Sequence, residues 1–299
     1  MILVHKIALD PNDKQSTFFA KSAGTARFAY NWALAQWAEQ YKAGEKPSDV
    51  SLRRELNSIK KNDYPWMLEL GKCAPQQAIK NLGVAFKRFF KKQSQYPKFK
   101  KKGHHDSFRC DNGPAKIGAD AIEIKGKKIK IPRLGWVRMR EKLRFSGQIK
   151  SAYLSLKAGS WYVSLSVITF DLKFSLSKNQ GSVGIDLGCH HLATLSTGEK
   201  FESLKPLKFL HPKLERAQRL ASRRKKGSSN RKKAIFLVQR IHERIASLRD
   251  SSWHPLSKAL TDRLSFIALE NLIVLNLTLN FMSFAVSLST IRPVEEEKW

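Results

Sequence analysis

The sequence predicts a multidomain chain of mixed α+β and α/β class: a β-barrel carrying a helical insertion, then a domain built on acid-bearing strands. Three observations predict it. Apolar and polar residues alternate over 2–9, with no neighbouring strand in sequence to pair with. Apolar residues then recur at three- and four-residue spacing to about residue 93, before a run of short β segments between 107 and 170. Past a polar stretch at 171–181, two apolar strand-like runs each hold an acid: Val183-Gly184-Ile185-Asp186-Leu187-Gly188 and Phe266-Ile267-Ala268-Leu269-Glu270-Asn271-Leu272.

The first strand ends at Asp10-Pro11-Asn12-Asp13, which is turn chemistry. Phe19, Ala23, Ala26, Tyr30, Ala33, Trp37 and Tyr41 then define one face of a helix, closed by Gly44 and Pro47. A second helix is expected from Ser51 to about Lys60, ahead of the break at Tyr64-Pro65. A third carries Ile79, Leu82, Phe86, Phe89 and Phe90 on one side and lysines elsewhere. The helical block spans 16–93. The short segments 121–124, 128–131, 151–156 and 161–168, punctuated by Gly and Pro, read as strands, and the first strand is expected to pair among them. The barrel therefore comprises 1–15 and 94–175, with 16–93 inserted. In the last domain, 181–299, a strand meander at 181–189, 191–196 and 200–202 precedes helices at about 213–224 and 232–249. The second of these should bury Ile235, Val238, Ile241, Ile245 and Leu248. One or two further helical turns are expected at 257–263 before the Glu270 strand.

Composition narrows the function. The chain has 299 residues, 42% of them hydrophobic, enough for real cores. It carries 55 Lys and Arg against 25 Asp and Glu, a formal charge of +30. That surplus calls for a polyanionic partner, nucleic acid ahead of a ribosomal-type role or a membrane surface. No small-molecule substrate is indicated. Cys73, Cys110 and Cys189 are odd in number and form no C-x-x-C pair, so they suggest reduced thiols in a cytoplasmic protein. No signal peptide is indicated at the start. The stretch 264–288 is apolar enough to resemble a membrane span, but Glu270 at mid-span would be costly, so a strand and tail are expected.

Two kinds of chemistry are written in the motifs. Carboxylates held on rigid strands can bind hard cations such as Mg²⁺, and paired ions can activate water against a phosphodiester. Asp186 in mid-strand between glycines, with Glu270 on a neighbouring strand, suits that work. The alternative is structural: Asp186 caps a turn and Glu270 pairs with an arginine. The spacing leaves both open. The second kind is basic. Lys98, Lys100, Lys101, Lys102 and Arg109 surround Phe99 and Phe108, a mixture that tracks a phosphate backbone and stacks on bases. Arg223, Arg224, Lys225, Lys226, Arg231, Lys232 and Lys233 flank a Gly-Ser-Ser-Asn turn between helices. Each cluster reads either as a phosphate contact or as a solvated face. Trp32 and Trp37 read as core.

Several of these segments, in order, resemble the TnpB (OrfB) insertion-sequence family. Gly184-Ile185-Asp186-Leu187-Gly188 followed by Leu192-Ala193-Thr194-Leu195-Ser196 is similar to its first RuvC segment, and Phe266 through Leu272 to its second. Arg27-Phe28-Ala29-Tyr30-Asn31-Trp32 resembles its early helix, and Tyr96-Pro97-Lys98-Phe99 with Ser107-Phe108-Arg109 its basic loop. Ile131-Pro132-Arg133-Leu134-Gly135 with Trp161-Tyr162-Val163-Ser164 looks like its β region, and the tract from Ser222 to Lys233 its basic helical hairpin. The likeness runs to about residue 275. It implies a transposon-encoded, RNA-guided DNA endonuclease, with a β-barrel wedge domain, a helical recognition insertion and an RNase H-like (RuvC) domain. Its partners would be a guide RNA and target DNA. Asp186 and Glu270 match the first two metal-ligand acids, and Arg27 and Asn31 become candidates for RNA contact.

The sequence also departs from the family. A zinc-binding C-x-x-C pair of motifs and a third RuvC acid are expected after the second segment, and the residues from Val274 to Trp299 hold neither. Glu295, Glu296 and Glu297 read as a charged end. The expectation is an incomplete RuvC domain, a weakened Mg²⁺ site, no zinc ligands and impaired or lost cleavage. The alternative is a non-catalytic nucleic-acid-binding protein, an RNA-guided repressor or RNA binder.

Overall fold

The structure, a computed structural model, describes residues 1–112, 122–169, 181–188, 191–202 and 204–269. The chain divides into two units, Met1–Leu172 and Lys173–Trp299.

The first unit opens with strand β1 (Ile2–Asp10) and a 30-residue helix α1 (Asp13–Lys42). Asn12 caps α1 through a capping box with Gln15, which satisfies two of the helix's orphan N–H groups. Helix α2 (Asp49–Ile59) starts from a similar reciprocal pair, Ser48 and Ser51. A 3₁₀ turn at Pro65–Glu69 leads to α3 (Cys73–Phe90). Phe19, Ala23, Ala26, Tyr30, Ala33 and Trp37 are all buried along α1, whereas Tyr41 lies past the end of the packed face and is exposed. In α3, Ile79, Leu82 and Phe86 are buried, but Phe90 points to solvent. Gly83 lets α3 pass close to α2: a Cβ there would sit 2.7 Å from the Asp49 Cβ.

Six more strands follow: β2 (Ser107–Asp111), β3 (Glu123–Lys125), β4 (Lys128–Ile131), β5 (Gly135–Met139), β6 (Gln148–Lys157) and β7 (Ser160–Ile168). With β1 they form a seven-stranded antiparallel sheet in the order β2-β6-β7-β1-β5-β4-β3. β1 pairs with β7 from Ile2 to Ala8 and then with β5 at Leu9 and Asp10, so it joins the two halves of the sheet. Strict alternation in β7 buries Trp161, Val163, Leu165 and Val167 against the same core as Phe19 and Phe108.

The second unit holds β8 (Ser182–Asp186), β9 (His191–Leu195), β10 (Lys200–Glu202), α4 (Pro206–Arg223), α5 (Ser229–Arg263) and β11 (Phe266–Leu269). Its sheet runs β10-β9-β8-β11, with β11 parallel to β8. Helix α5 is continuous for 35 residues through Pro255, where two separate segments were expected. The lost N–H is offset by burial: Trp253, Leu256 and Leu260, around the proline, pack on Val183, Ile185, Ala193 and Leu195 of the sheet. Ser251 and Ser252 also donate hydroxyl bonds back to the carbonyls of Leu248 and Arg249. Helix α4 likewise begins earlier than expected, at Pro206, where a missing N–H costs nothing. In the α4–α5 hairpin, Ile241 and Ile245 are buried with Leu214 and Ala217, and Val238 packs against them. Ile235 is exposed and Ala234 takes the buried place. Among the described residues no helix is long and apolar enough to cross a membrane.

Candidate metal centre and nucleic-acid surface

Asp186 is the last residue of β8 and is exposed, where a buried mid-strand position was expected. The pleat explains the difference. Val183 and Ile185 take the face covered by α5, so Ser182, Gly184 and Asp186 take the other. Thr194 lies directly opposite Asp186 in β9, and Lys200 lies opposite Thr194 in β10. The three positions therefore form a row on the outer face. β8 is pinned by a hydrogen bond from Gly184 N–H to Ser196 Oγ at 3.2 Å and one from Ser196 N–H to Gly184 O at 2.8 Å. The parallel partner β11 reaches Leu269, in register with Ile185. Glu270 lies outside the described residues. Asp186 forms no ion pair among the described residues, and those residues contain no cluster of three or more His, Cys, Asp or Glu suited to a metal. Sequence reasoning did not single out Thr194 or Lys200, because cross-strand register has no signature in one strand.

The basic loop after α3 is held by the first helix. Asn31 clamps it with two bonds, donating from Nδ2 to Lys100 O at 3.0 Å and accepting from Lys100 N–H at 2.8 Å. Arg27, one turn earlier, pairs with Asp106 at 2.6 Å, and Asp106 also accepts from Gly103 N–H. Both side chains thus help to shape the loop. The Lys100 ammonium lies over the Tyr30 ring, 4.1 Å from its centre, and desolvation there lowers its pKa. Lys98, Lys101 and Lys102 are exposed, as is Phe99 at 60%. Phe108 is not a stacking residue: at 3% exposure it belongs to the core, tilted against Phe19. Arg109 is engaged by Asp111 at 2.7 Å, along the same strand.

The second basic cluster sits on the α4–α5 turn. Arg223, Arg224, Lys225, Lys226, Lys232 and Lys233 are exposed. Arg231 is half-buried and braces the turn, donating from Nη1 to Arg224 O at 3.0 Å, while Ser228 Oγ accepts from its backbone N–H. Lys232, Lys233, Phe236, Leu237 and Arg240 line an open groove, with the Arg240 guanidinium 4.9 Å from the centre of the Phe236 ring.

Comparison with known proteins places the chain. A family model described as a probable transposase of the IS605 OrfB type matches residues 173–280, and a helix-turn-helix model of the same family matches 1–46. Residues 1–46 here form β1 and the single helix α1, so that second description does not fit their structure. A protein of Escherichia coli named "Putative RNA-guided DNA endonuclease InsQ" is 32% identical over 275 residues, covering 91% of this chain and 67% of its own. One of Streptomyces pristinaespiralis, "Putative RNA-guided DNA endonuclease", is 31% identical over 279 residues, with 90% and 67% covered. The chain thus spans about two thirds of these relatives' length. Among solved structures, a CRISPR-Cas12f ternary complex aligns at 13% identity with a TM-score of 0.38, over 93% of this chain and 70% of that one. A likeness that low carries no argument. The sequence relatives suffice: this chain belongs to the TnpB/OrfB family of insertion-sequence transposase proteins.

Proposed function

We propose that the chain is a transposon-encoded, RNA-guided DNA-binding protein of the TnpB type. In this reading 1–15 and 94–175 make a β-barrel wedge, 16–93 a helical recognition insertion, and 181 onward an RNase H-like RuvC segment. Its partners are a guide RNA and the target DNA, as the names of its relatives suggest. The observation that carries it is the parallel register of β8 and β11. Ile185 pairs with Leu269, and the residues that follow them in sequence are the two acids of the motifs, Asp186 and Glu270.

The donor set fits a hard divalent ion. Asp186 is an exposed carboxylate on a pinned strand, without a cation of its own among the described residues. Asp186 and Glu270 would hold Mg²⁺, which retains waters and takes substrate oxygens as further ligands. The ion supplies Lewis-acid stabilisation of the charge that develops on a phosphodiester. The residues of this chain present the acids, and the exposed lysines of the loop in the first unit and of the hairpin in the second each offer contacts to a phosphate backbone. Cys73, Cys110 and Cys189 are not spaced as zinc ligands, and zinc is not assigned to them.

These 299 residues supply two of the three acids that the family resemblance implies. A polypeptide of these residues therefore binds its nucleic acids and cuts them little or not at all, because misplaced ions cost several powers of ten in rate. The test incubates purified protein with its RNA, Mg²⁺ and matching DNA. Binding without specific cuts, unchanged in Asp186→Ala, is the expected result. Specific cuts that Asp186→Ala abolishes would restore full nuclease activity to these residues, and absence of RNA binding would sink the whole assignment.

A further inference from the structure

We propose that Phe90 and Tyr96, at the outer end of α3, form a shelf on which unpaired bases of the RNA partner stack; this rests on the RNA-binding reading above. Phe90 is 61% exposed and Tyr96 47%. Neither is a loose side chain. Phe86 stacks flat on Trp37, with centroids 4.2 Å apart and planes 12° apart, and Phe90 continues near parallel to Phe86 at 6.1 Å and 25°. Tyr96 stands edge-on to both Phe86, at 5.5 Å, and Phe89, at 5.4 Å. The outermost rings thus extend an aromatic stack rooted in the core. Rings fixed in this way lose little freedom when something flat lands on them.

Charge identifies what lands. Residues 70–105 contain ten Lys and Arg and no Asp or Glu. Lys87, Arg88, Lys91 and Lys92 flank Phe90 in sequence, all exposed, and none forms an ion pair among the described residues. A neutral apolar partner would have to strip water from these cations without compensation. A strand that joins flat aromatic faces to phosphates satisfies rings and cations together. Duplex DNA hides its base faces inside the stack, whereas loops and ends of RNA present theirs.

The experiment measures binding of the full chain to an unstructured uridine-rich RNA, to the same length with abasic sites, to DNA of matching sequence and to anionic phospholipid vesicles. The expected result is a preference of about tenfold for the base-bearing RNA over the abasic one. Phe90→Leu, which keeps apolar bulk but has no ring, removes that preference and leaves abasic binding and the salt slope unchanged. Phe90→Trp keeps it. Equal affinity for base-bearing and abasic RNA in the unaltered protein overturns the shelf while leaving RNA binding intact. So does a Phe90→Leu protein that still discriminates. If Phe90→Leu weakens only the DNA, or only binding to anionic phospholipid vesicles, the occupant is another class and the RNA assignment fails. No binding to any RNA removes the functional reading itself, a separate outcome.

Discussion

His5 shows what one buried polar side chain does inside the first sheet. It is 6% exposed on β1, accepts a hydrogen bond at Nδ1 from the Arg144 N–H, and turns its Nε2 toward Glu141 at 3.5 Å without bonding it. Burial chiefly, then the charge of Arg144, holds its pKa below the ordinary 6.5, while Glu141 opposes both. The folded protein therefore binds fewer protons than the unfolded chain between that lowered value and 6.5. Stability is full above about pH 6.5 and falls as pH drops toward the folded-state pKa. Urea midpoints measured across that range should decline in the wild type and decline less in His5→Gln. Equal slopes in the two proteins would remove His5 from the account. Such a role was illegible in the sequence, where His5 is one polar letter in an alternating strand. Asn31 and Arg27 were legible as important but not as to why. Their bonds to Lys100 and Asp106 span 69 and 79 residues, which no local pattern records.

At the scale of elements, the sequence was most informative where periodicity and burial coincide. The faces of α1 and α3 and the alternation of β7 follow directly from apolar spacing. It fell short between 249 and 257, which it left outside a helix. Tertiary burial of Trp253 and Leu260 carries α5 through that stretch and its Pro255. The α4–α5 turn keeps its cations outward, with Ser228 and Arg231 bracing the backbone, so it is a formed element before any partner arrives. Replacing Lys225, Lys226, Lys232 and Lys233 together with glutamine should weaken RNA or DNA binding. It should also reduce the slope of log affinity against log salt by about three units, from four lost phosphate contacts. An unchanged slope would return these lysines to the status of solvated surface. Circular dichroism of the variant should match the wild type, since all four side chains are exposed.

The whole molecule consists of two units with separate cores. The larger cluster, from Ile7 to Val167, lies within Met1–Leu172, and those built on β8, β9, α4 and α5 lie within the second. A fragment of residues 1–172 should therefore melt cooperatively and retain the Phe90-dependent discrimination between base-bearing and abasic RNA. A broad, non-cooperative melt would show that the first unit depends on the second. Composition made the charge of +30 legible at once, and the apolar motifs made β8 and β11 legible as strands. The placement of β1 between β7 and β5 was legible only as an unpaired strand in search of a sheet.

That placement governs how the protein is born. β1 leaves the ribosome well ahead of its partners: its hydrogen-bonding edges wait for β5 and then β7, whose paired residues emerge some 130 to 165 positions later. The helices α1 to α3 and their aromatic stack, built from contacts nearer in sequence, can assemble during that delay. A nascent chain stalled before β7 would thus carry a formed cationic helical layer and an open, aggregation-prone strand.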